Sequence, residues 1–214
     1  MSHPPTISSA ANTPTALLLI DIQVGLNTSN GYFGSERSTP SFENNVQSLL
    51  SAARQYNDKP STTLPITIIH VFHKSVNADS PLFPHSSDHP GGIDFQPCAQ
   101  PVESSEYETV FSKSTNSAFI NTPLETHLRS KAIGQLILAG IASDHCVSTS
   151  TRAAADLAVV ERRNIFIVSD ATAAFNKGGF DAETVHRVSL ASLDKEFANV
   201  VSTNEVLTGL ALAN

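Results

Sequence analysis

The chain has 214 residues, 40% of them apolar, which is enough for one well-buried domain, and a formal net charge of -7 without a basic run. That balance excludes the electrostatic footprint of a nucleic-acid binder or of a protein held on an anionic membrane surface. The two cysteines, Cys98 and Cys146, lie far apart and form neither a disulfide framework nor a C-x-x-C zinc half-site, which fits a reducing, cytoplasmic setting.

Residues 1–15 are rich in Pro, Ser and Thr, lack the basic start and apolar core of a signal peptide, and read as a mobile tail ahead of a single domain over residues 16–214. No apolar run approaches the roughly 20 residues that span a bilayer. Ala16 to Ile20 is a compact apolar run closed by Asp21, a first buried strand ending in a carboxylate. Phe42, Val46, Leu49, Leu50 and Ala53 recur at intervals of three and four, predicting an amphipathic helix over residues 41–56. Ile66 to Phe72 is β-branched and apolar, a second strand. Periodicity then fails from Lys74 to Glu108, a Pro-rich stretch with Gly91-Gly92; a loop of that length serves as a lid, a binding loop or an assembly surface.

Tyr107 to Phe111 is a short strand running into Lys113. Thr122-Pro123-Leu124-Glu125 has the form of a capping box with Pro at the first helical position, and Gly134 is a natural stop after it. Gln135 to Ala139 has the continuous hydrophobicity of a strand buried on both faces, and the Ala-rich run after Cys146 has the composition of a helix. Asn164 to Ser169 is another buried strand, ending at Asp170; Asp181 caps a further helix, and Asn199 to Ser202 is a last short strand. Alternating strands and helices, with strands too apolar to be half-exposed, predict an α/β fold: a mainly parallel sheet covered by helices on both faces.

Ligands in such folds bind beyond the carboxyl ends of the strands. Asp21, Lys113 and Cys146 each lie at or just past such an end. Cys146 also sits where a strand hands over to a helix, and the helix N-terminus favours thiolate, lowering the thiol pKa below about 8.5. Singly, each residue has a plainer use: Asp21 as a cap, Lys113 as a solvated cation, Cys146 as core filler. Together they have a coherent chemistry, with Asp21 accepting the thiol proton, Lys113 holding the charges and Cys146 attacking a carbonyl carbon.

Ala16-Leu-Leu-Leu-Ile-Asp-Ile-Gln23, Lys113-Ser-Thr-Asn-Ser-Ala-Phe119 and Gly140-Ile-Ala-Ser-Asp-His-Cys-Val147 resemble the three motifs of the isochorismatase-like cysteine hydrolases, in order. Ser169-Asp-Ala-Thr and His186-Arg-Val-Ser-Leu190 are also similar to that family, and the likeness runs from about Ala16 to Leu207. The resemblance implies a three-layer α-β-α fold on a six-stranded, mainly parallel sheet and a catalytic triad of Asp21, Lys113 and Cys146. It also implies a homo-oligomer, dimer or tetramer. By the same resemblance a non-proline cis peptide maps onto Ile141-Ala142, where it would aim the Ala142 N–H into an oxyanion hole shared with Cys146.

One departure narrows the chemistry. Nicotinamidase-like members carry an Asp-x-His metal motif after the second strand, where this chain has His70-Val-Phe-His73, an i, i+3 pair pointing to opposite faces of a strand. The expectation is no metal and no cofactor. His85 and His89 lie in a Pro/Ser-rich loop without a third ligand. The expected pocket floor comprises Gln23, Leu26, His145 and residues of the 74–108 loop, with His145 as a substrate contact or a solvated loop residue. Asp144 is expected to cap the helix, and Asn116, Asp170, His127 and Cys98 to be structural. The reading is thus an amidohydrolase cleaving a C–N bond of a small molecule. Its rivals are a vinyl-ether hydrolase of isochorismate, which can manage without the cysteine, and a non-catalytic binding protein on the same fold.

Overall fold

The computed structural model describes residues 6–27 and 31–212. Six strands, β1 (Thr15–Ile20), β2 (Thr67–His73), β3 (Glu108–Lys113), β4 (Gln135–Ile141), β5 (Ile165–Ala173) and β6 (Asn199–Val201), form one sheet in the order β3-β2-β1-β4-β5-β6. Every pairing is parallel, as expected from the unbroken apolar strands. The chain winds outward from β1 to β3, then crosses back to β4, so the winding reverses between β1 and β4. Their carboxyl ends splay a crevice there.

Strand alternation sorts the core into two layers. Leu17 and Leu19 pack with Phe42, Val46 and Leu50 of α1 (Phe42–Asn57) and Val206 of α5 (Thr203–Gly209) on one face. Ala16, Leu18 and Ile20 pack on the other, against Leu124 and Leu128 of α2 (Leu124–Ser130), Val147 and Ala154 of α3 (Cys146–Asp156) and Leu190 of α4 (Ala182–Ala191). The three-layer α/β architecture expected from the sequence is therefore present. Truncating a fully buried strand residue such as Leu18 to Ala costs about 3 kcal/mol.

Several boundaries and one element differ from expectation. The Thr122 capping box does not form: Pro123 is the N-cap of α2, Thr122 Oγ1 donates to the Ala118 carbonyl, and Glu125 pairs with Arg129 on the exposed side instead. A capping box does form where none was expected, at α5, where Ser202 Oγ accepts from Glu205 N–H and Glu205 reaches back to Ser202 N–H. Strand β5 does not stop at Ser169 but bulges and continues, and Asp170 in the bulge accepts two hydrogen bonds from Thr203 at the start of α5.

The mobile-tail expectation fails for residues 6–14, while residues 1–5 lie outside the described residues. Ile7 and Ala10 are buried, Ser8 exchanges backbone bonds with the Gln135 amide, and a Cβ on Gly209 would come within 2.6 Å of Ile7 Cβ. Ile7 and Ala10 join the core cluster that holds Val206 and Leu210, and Ala10 N–H donates to Leu210 O. The 74–108 stretch is also built in, stitched to the turn Val24–Leu26 by Val24 N–H to Asp94 O and Gly25 N–H to Gly92 O, and to the residue after Asp21 by Gln96 N–H to Ile22 O. No described helix is long and apolar enough to cross a membrane.

Candidate active site

Where β1 ends, Asp21 adopts φ 53°, left-handed backbone that Asp tolerates better than most residues, and its N–H donates to Val71 O. Alongside, β4 closes on β1 through Gly140: φ is 138°, and a Cβ there would lie 2.0 Å from Ile20 O. After β4 the Ile141–Ala142 peptide is cis, and the chain turns through Ser143 to His145 into α3, with Cys146 as its first residue. Lys113 closes β3. Three strand ends thus deliver the three expected residues to one place.

Lys113 Nζ donates to Asp21 Oδ2 at 2.6 Å and lies 3.2 Å from Cys146 Sγ, 3.0 Å from Thr115 O and 3.3 Å from His73 Nδ1. Four neighbours compete for three ammonium N–H groups, so Lys113 can redirect one of these hydrogen bonds to whichever partner gains negative charge. Asp21 and Lys113 are buried, yet Asp21 Oδ1 has no hydrogen-bond partner. Burial raises the Asp21 pKa above its ordinary 3.8, against the opposing pull of Lys113 and of the Cys146 thiol. Burial, and then the Asp21 charge, also pushes the Cys146 thiol up, with Lys113 opposing. Desolvation and a neighbouring carboxylate both oppose the thiolate that the helix N-terminus was expected to favour. His73 is held neutral by burial and by Lys113.

These groups open into a cavity of about 130 Å³ whose wall includes Leu26, Phe33, Leu82, Ile141, Ala142 and Phe175. That is close to the size of a cavity that takes benzene, about 150 Å³. The family model for the isochorismatase domain matches residues 15–205. The chain belongs to the isochorismatase family. It is 31% identical over 197 residues to the isochorismatase family protein YrdC of Bacillus subtilis (strain 168), covering 90% of this chain and 94% of that one. Among solved structures, an isochorismatase-family protein from Chromobacterium violaceum has a TM-score of 0.80 at 31% identity, with each chain covered in full. A cysteine hydrolase from Pseudomonas syringae pv. phaseolicola 1448A has a TM-score of 0.74 at 25% identity over 99% of each chain. The isochorismatase-family chain is thus placed among hydrolases.

The remaining expectations divide. Leu26 and His145 line the cavity, but Gln23 does not. Gln23 is wholly buried and its amide is consumed by backbone: Nε2 donates to His73 O and Ile93 O, and Oε1 accepts from His73 N–H. It pins β2 and the long loop to the site rather than touching a ligand. Asp144 does not cap α3, whose N-cap is His145 without a side-chain bond; it pairs with His145 Nδ1 at 2.7 Å and Lys177 Nζ at 3.4 Å. Asn116, taken as structural, is a wall residue with Oδ1 4.0 Å from Cys146 Sγ.

Leu82 brings the 74–108 loop to the wall, as expected, while Phe33, His73, Phe175 and Lys177 belong to it without having been singled out. Of these four only His73 carried a signal, closing a buried strand as Lys113 does. His70, its i, i+3 neighbour, is turned away into a bond with Glu108. No group of three or more His, Cys, Asp or Glu side chains that could hold a metal ion occurs among the described residues.

Proposed function

We propose that this isochorismatase-family protein is a cysteine hydrolase that cleaves a C–N bond of a small carboxamide without a metal. The observation that carries the reading is the Lys113 ammonium, bridging Asp21 Oδ2 at 2.6 Å and Cys146 Sγ at 3.2 Å, the two groups that it joins both lining the cavity.

With a carbonyl carbon against Cys146, Asp21 takes the thiol proton on its unpartnered Oδ1 while Lys113 turns an N–H toward the forming thiolate. Sγ bonds to the carbonyl carbon, and the carbonyl oxygen becomes an oxyanion, met by the N–H groups of Ala142 and Cys146. Collapse breaks the C–N bond, and Asp21 returns its proton to the departing nitrogen, leaving a thioester. Water attacks the thioester, Asp21 takes its proton, and the carboxylic acid leaves as Cys146 is reprotonated. The raised basicity of Asp21 suits the proton shuttle, because its pKa is moved toward that of the groups it serves.

The test offers a panel of small amides, and isochorismate, to wild type and to Cys146→Ser. Release of ammonia from amides, lost in the variant together with a mass-detectable acyl-cysteine, supports the reading. Pyruvate release from isochorismate that survives the substitution, with no amide turned over, would replace it with vinyl-ether hydrolysis.

A further inference from the structure

Of the run from Ile141 to Cys146, every residue but Ser143 lines the cavity. Ser143 is wholly buried and engaged elsewhere: its Oγ lies 3.0 Å from Nδ1 of His186, on α4, and its N–H donates to Ala173 O of β5 at 2.9 Å. His186 is itself buried, and its Nε2 lies 3.1 Å from Ser169 O, also in β5. The His186-Arg-Val-Ser-Leu190 segment that stood out in the sequence thus reaches the corner leading into Cys146, although the hydrolytic steps make no use of it.

The groups themselves set the direction of both hydrogen bonds. A carbonyl only accepts, so His186 Nε2 carries the ring proton and donates to Ser169 O. Burial lowers the His186 pKa, against the pull of Glu183, the Ser169 carbonyl and Asp144, so at neutral pH the ring is uncharged and Nδ1 accepts. Ser143 Oγ–H is therefore the donor, and both ring nitrogens are used.

A buried polar pair gains little over apolar groups of the same shape, so packing alone does not call for one here. What this pair fixes is the corner. Ala142 O accepts from His145 N–H at 3.0 Å and from Val147 N–H at 3.2 Å, and the N–H of the same peptide unit, on Ser143, is the one held by Ala173 O. The Ser143 side chain adds a tie to α4, and in the chain this unit stands between Ala142 N–H and Cys146 N–H, the two groups that meet the oxyanion. A fully satisfied buried network holds its members in one arrangement.

We propose that His186 is a positioning residue of the oxyanion hole: through Ser143 it holds the corner so that the Ala142 N–H is aimed at the oxygen of the substrate carbonyl under attack. His186 touches no reacting atom. The inference rests on the cysteine-hydrolase reading and adds the device that keeps its oxyanion donors in place.

The experiment separates two reactions of one thiol in the intact protein. Acylation by p-nitrophenyl acetate bonds Cys146 Sγ to the acetyl carbon through a tetrahedral oxyanion, passes the thiol proton to Asp21 and expels p-nitrophenolate; alkylation by iodoacetamide displaces iodide at a saturated carbon and forms no oxyanion. Both rates, read by p-nitrophenolate absorbance and by the mass of the Cys146 peptide, are compared in wild type, Ser143→Ala, His186→Gln and His186→Asn. The Gln side chain keeps a donor for Ser169 O and loses the acceptor for Ser143; Asn does the reverse. The expected result is acylation at least about ten-fold slower in Ser143→Ala and in His186→Gln, no slower when the two are combined, and largely restored in His186→Asn, with alkylation within about two-fold of wild type throughout. Wild-type acylation in Ser143→Ala, or parallel falls in both reactions, overturns the proposal. So does a loss in His186→Asn but not in His186→Gln, which marks a tie between α4 and β5 alone. If His186→Gln does not fold, Ser143→Ala decides. If wild type hydrolyses no amide, the amide-hydrolase reading fails while this comparison still stands; if p-nitrophenyl acetate does not acylate wild-type Cys146, there is no working hole to position and the proposal falls.

Discussion

Glu108 and Asp21 are both buried carboxylates facing a cation, with side chains 2% and 1% exposed, and they differ in what becomes of their second oxygen. Glu108 opens β3 and is saturated: Arg54 donates Nε and Nη2 to its two oxygens at 2.7 and 2.9 Å, His70 Nε2 lies 2.9 Å away and Val102 N–H donates at 3.1 Å. Burial opposes its ionisation, but these partners win and bring its pKa down to about 2. Asp21 has the Lys113 ammonium on one oxygen and nothing on the other, and burial leaves its pKa raised. A saturated carboxylate is a structural tie, whereas one with a vacant oxygen can take up a proton.

The sharpest way to break that contrast is to remove the nucleophile that Asp21 serves. Cys146→Ala is expected to lower amide turnover at least about 10³-fold in steady-state assays while retaining a cooperative thermal transition. Retained turnover would reduce the Asp21 cluster to a second structural tie.

Next comes one member of each ion pair. Lys113→Met strands a buried carboxylate, so it is expected to abolish turnover and also to lower stability by about 3 kcal/mol in chemical denaturation. Glu108→Gln, in contrast, is expected to cost about 2 kcal/mol of stability while kcat/KM stays within about three-fold of wild type, because no atom of that cluster reaches the cavity. Comparable losses of activity in both would erase the distinction.

The two carboxylates also titrate with opposite signs. Glu108, lowered from 4.5 to about 2, contributes stability that is complete above pH 4.5 and is lost as pH falls toward 2. Asp21, raised above 3.8, contributes stability at low pH that is lost as pH rises through its elevated value, while its activity as a base appears only above that value. Acidification is therefore expected to extinguish kcat/KM at a pH above the ordinary aspartate range, before circular dichroism reports unfolding. Coincident profiles would contradict the assignment. The smallest effect belongs to Arg54→Gln, about 1 kcal/mol of stability and no change in kcat/KM, since that guanidinium is 30% exposed and partly screened.

How far the site could be read from residues follows the same physics. Asp21, Lys113 and Cys146 were legible because each closes or follows a compact strand run, and parallel strands put all such ends on one edge. Gln23 lies in the first motif and was taken for a ligand contact, but whether its amide meets substrate or backbone depends on the long loop returning to Ile22 and Gln23. The two capping-box patterns make the same point. Thr122-x-x-Glu125 and Ser202-x-x-Glu205 look alike, yet only the second forms; Thr122 is claimed by the Ala118 carbonyl, and Ser202 has no such competitor.

What the sequence alone determined is the order of strands and helices, the doubly covered parallel sheet and the three residues at its carboxyl edge. Those rest on local periodicity and on chain connectivity, which neighbouring residues carry. Tertiary structure alone decided the desolvation of Cys146, the burial of Ile7 and Ala10, the retirement of Gln23 into the scaffold and the convergence of Asp144, His145 and Lys177 on one cavity. Each depends on desolvation or on a hydrogen bond between segments distant in the chain, and neither leaves a periodic trace in sequence.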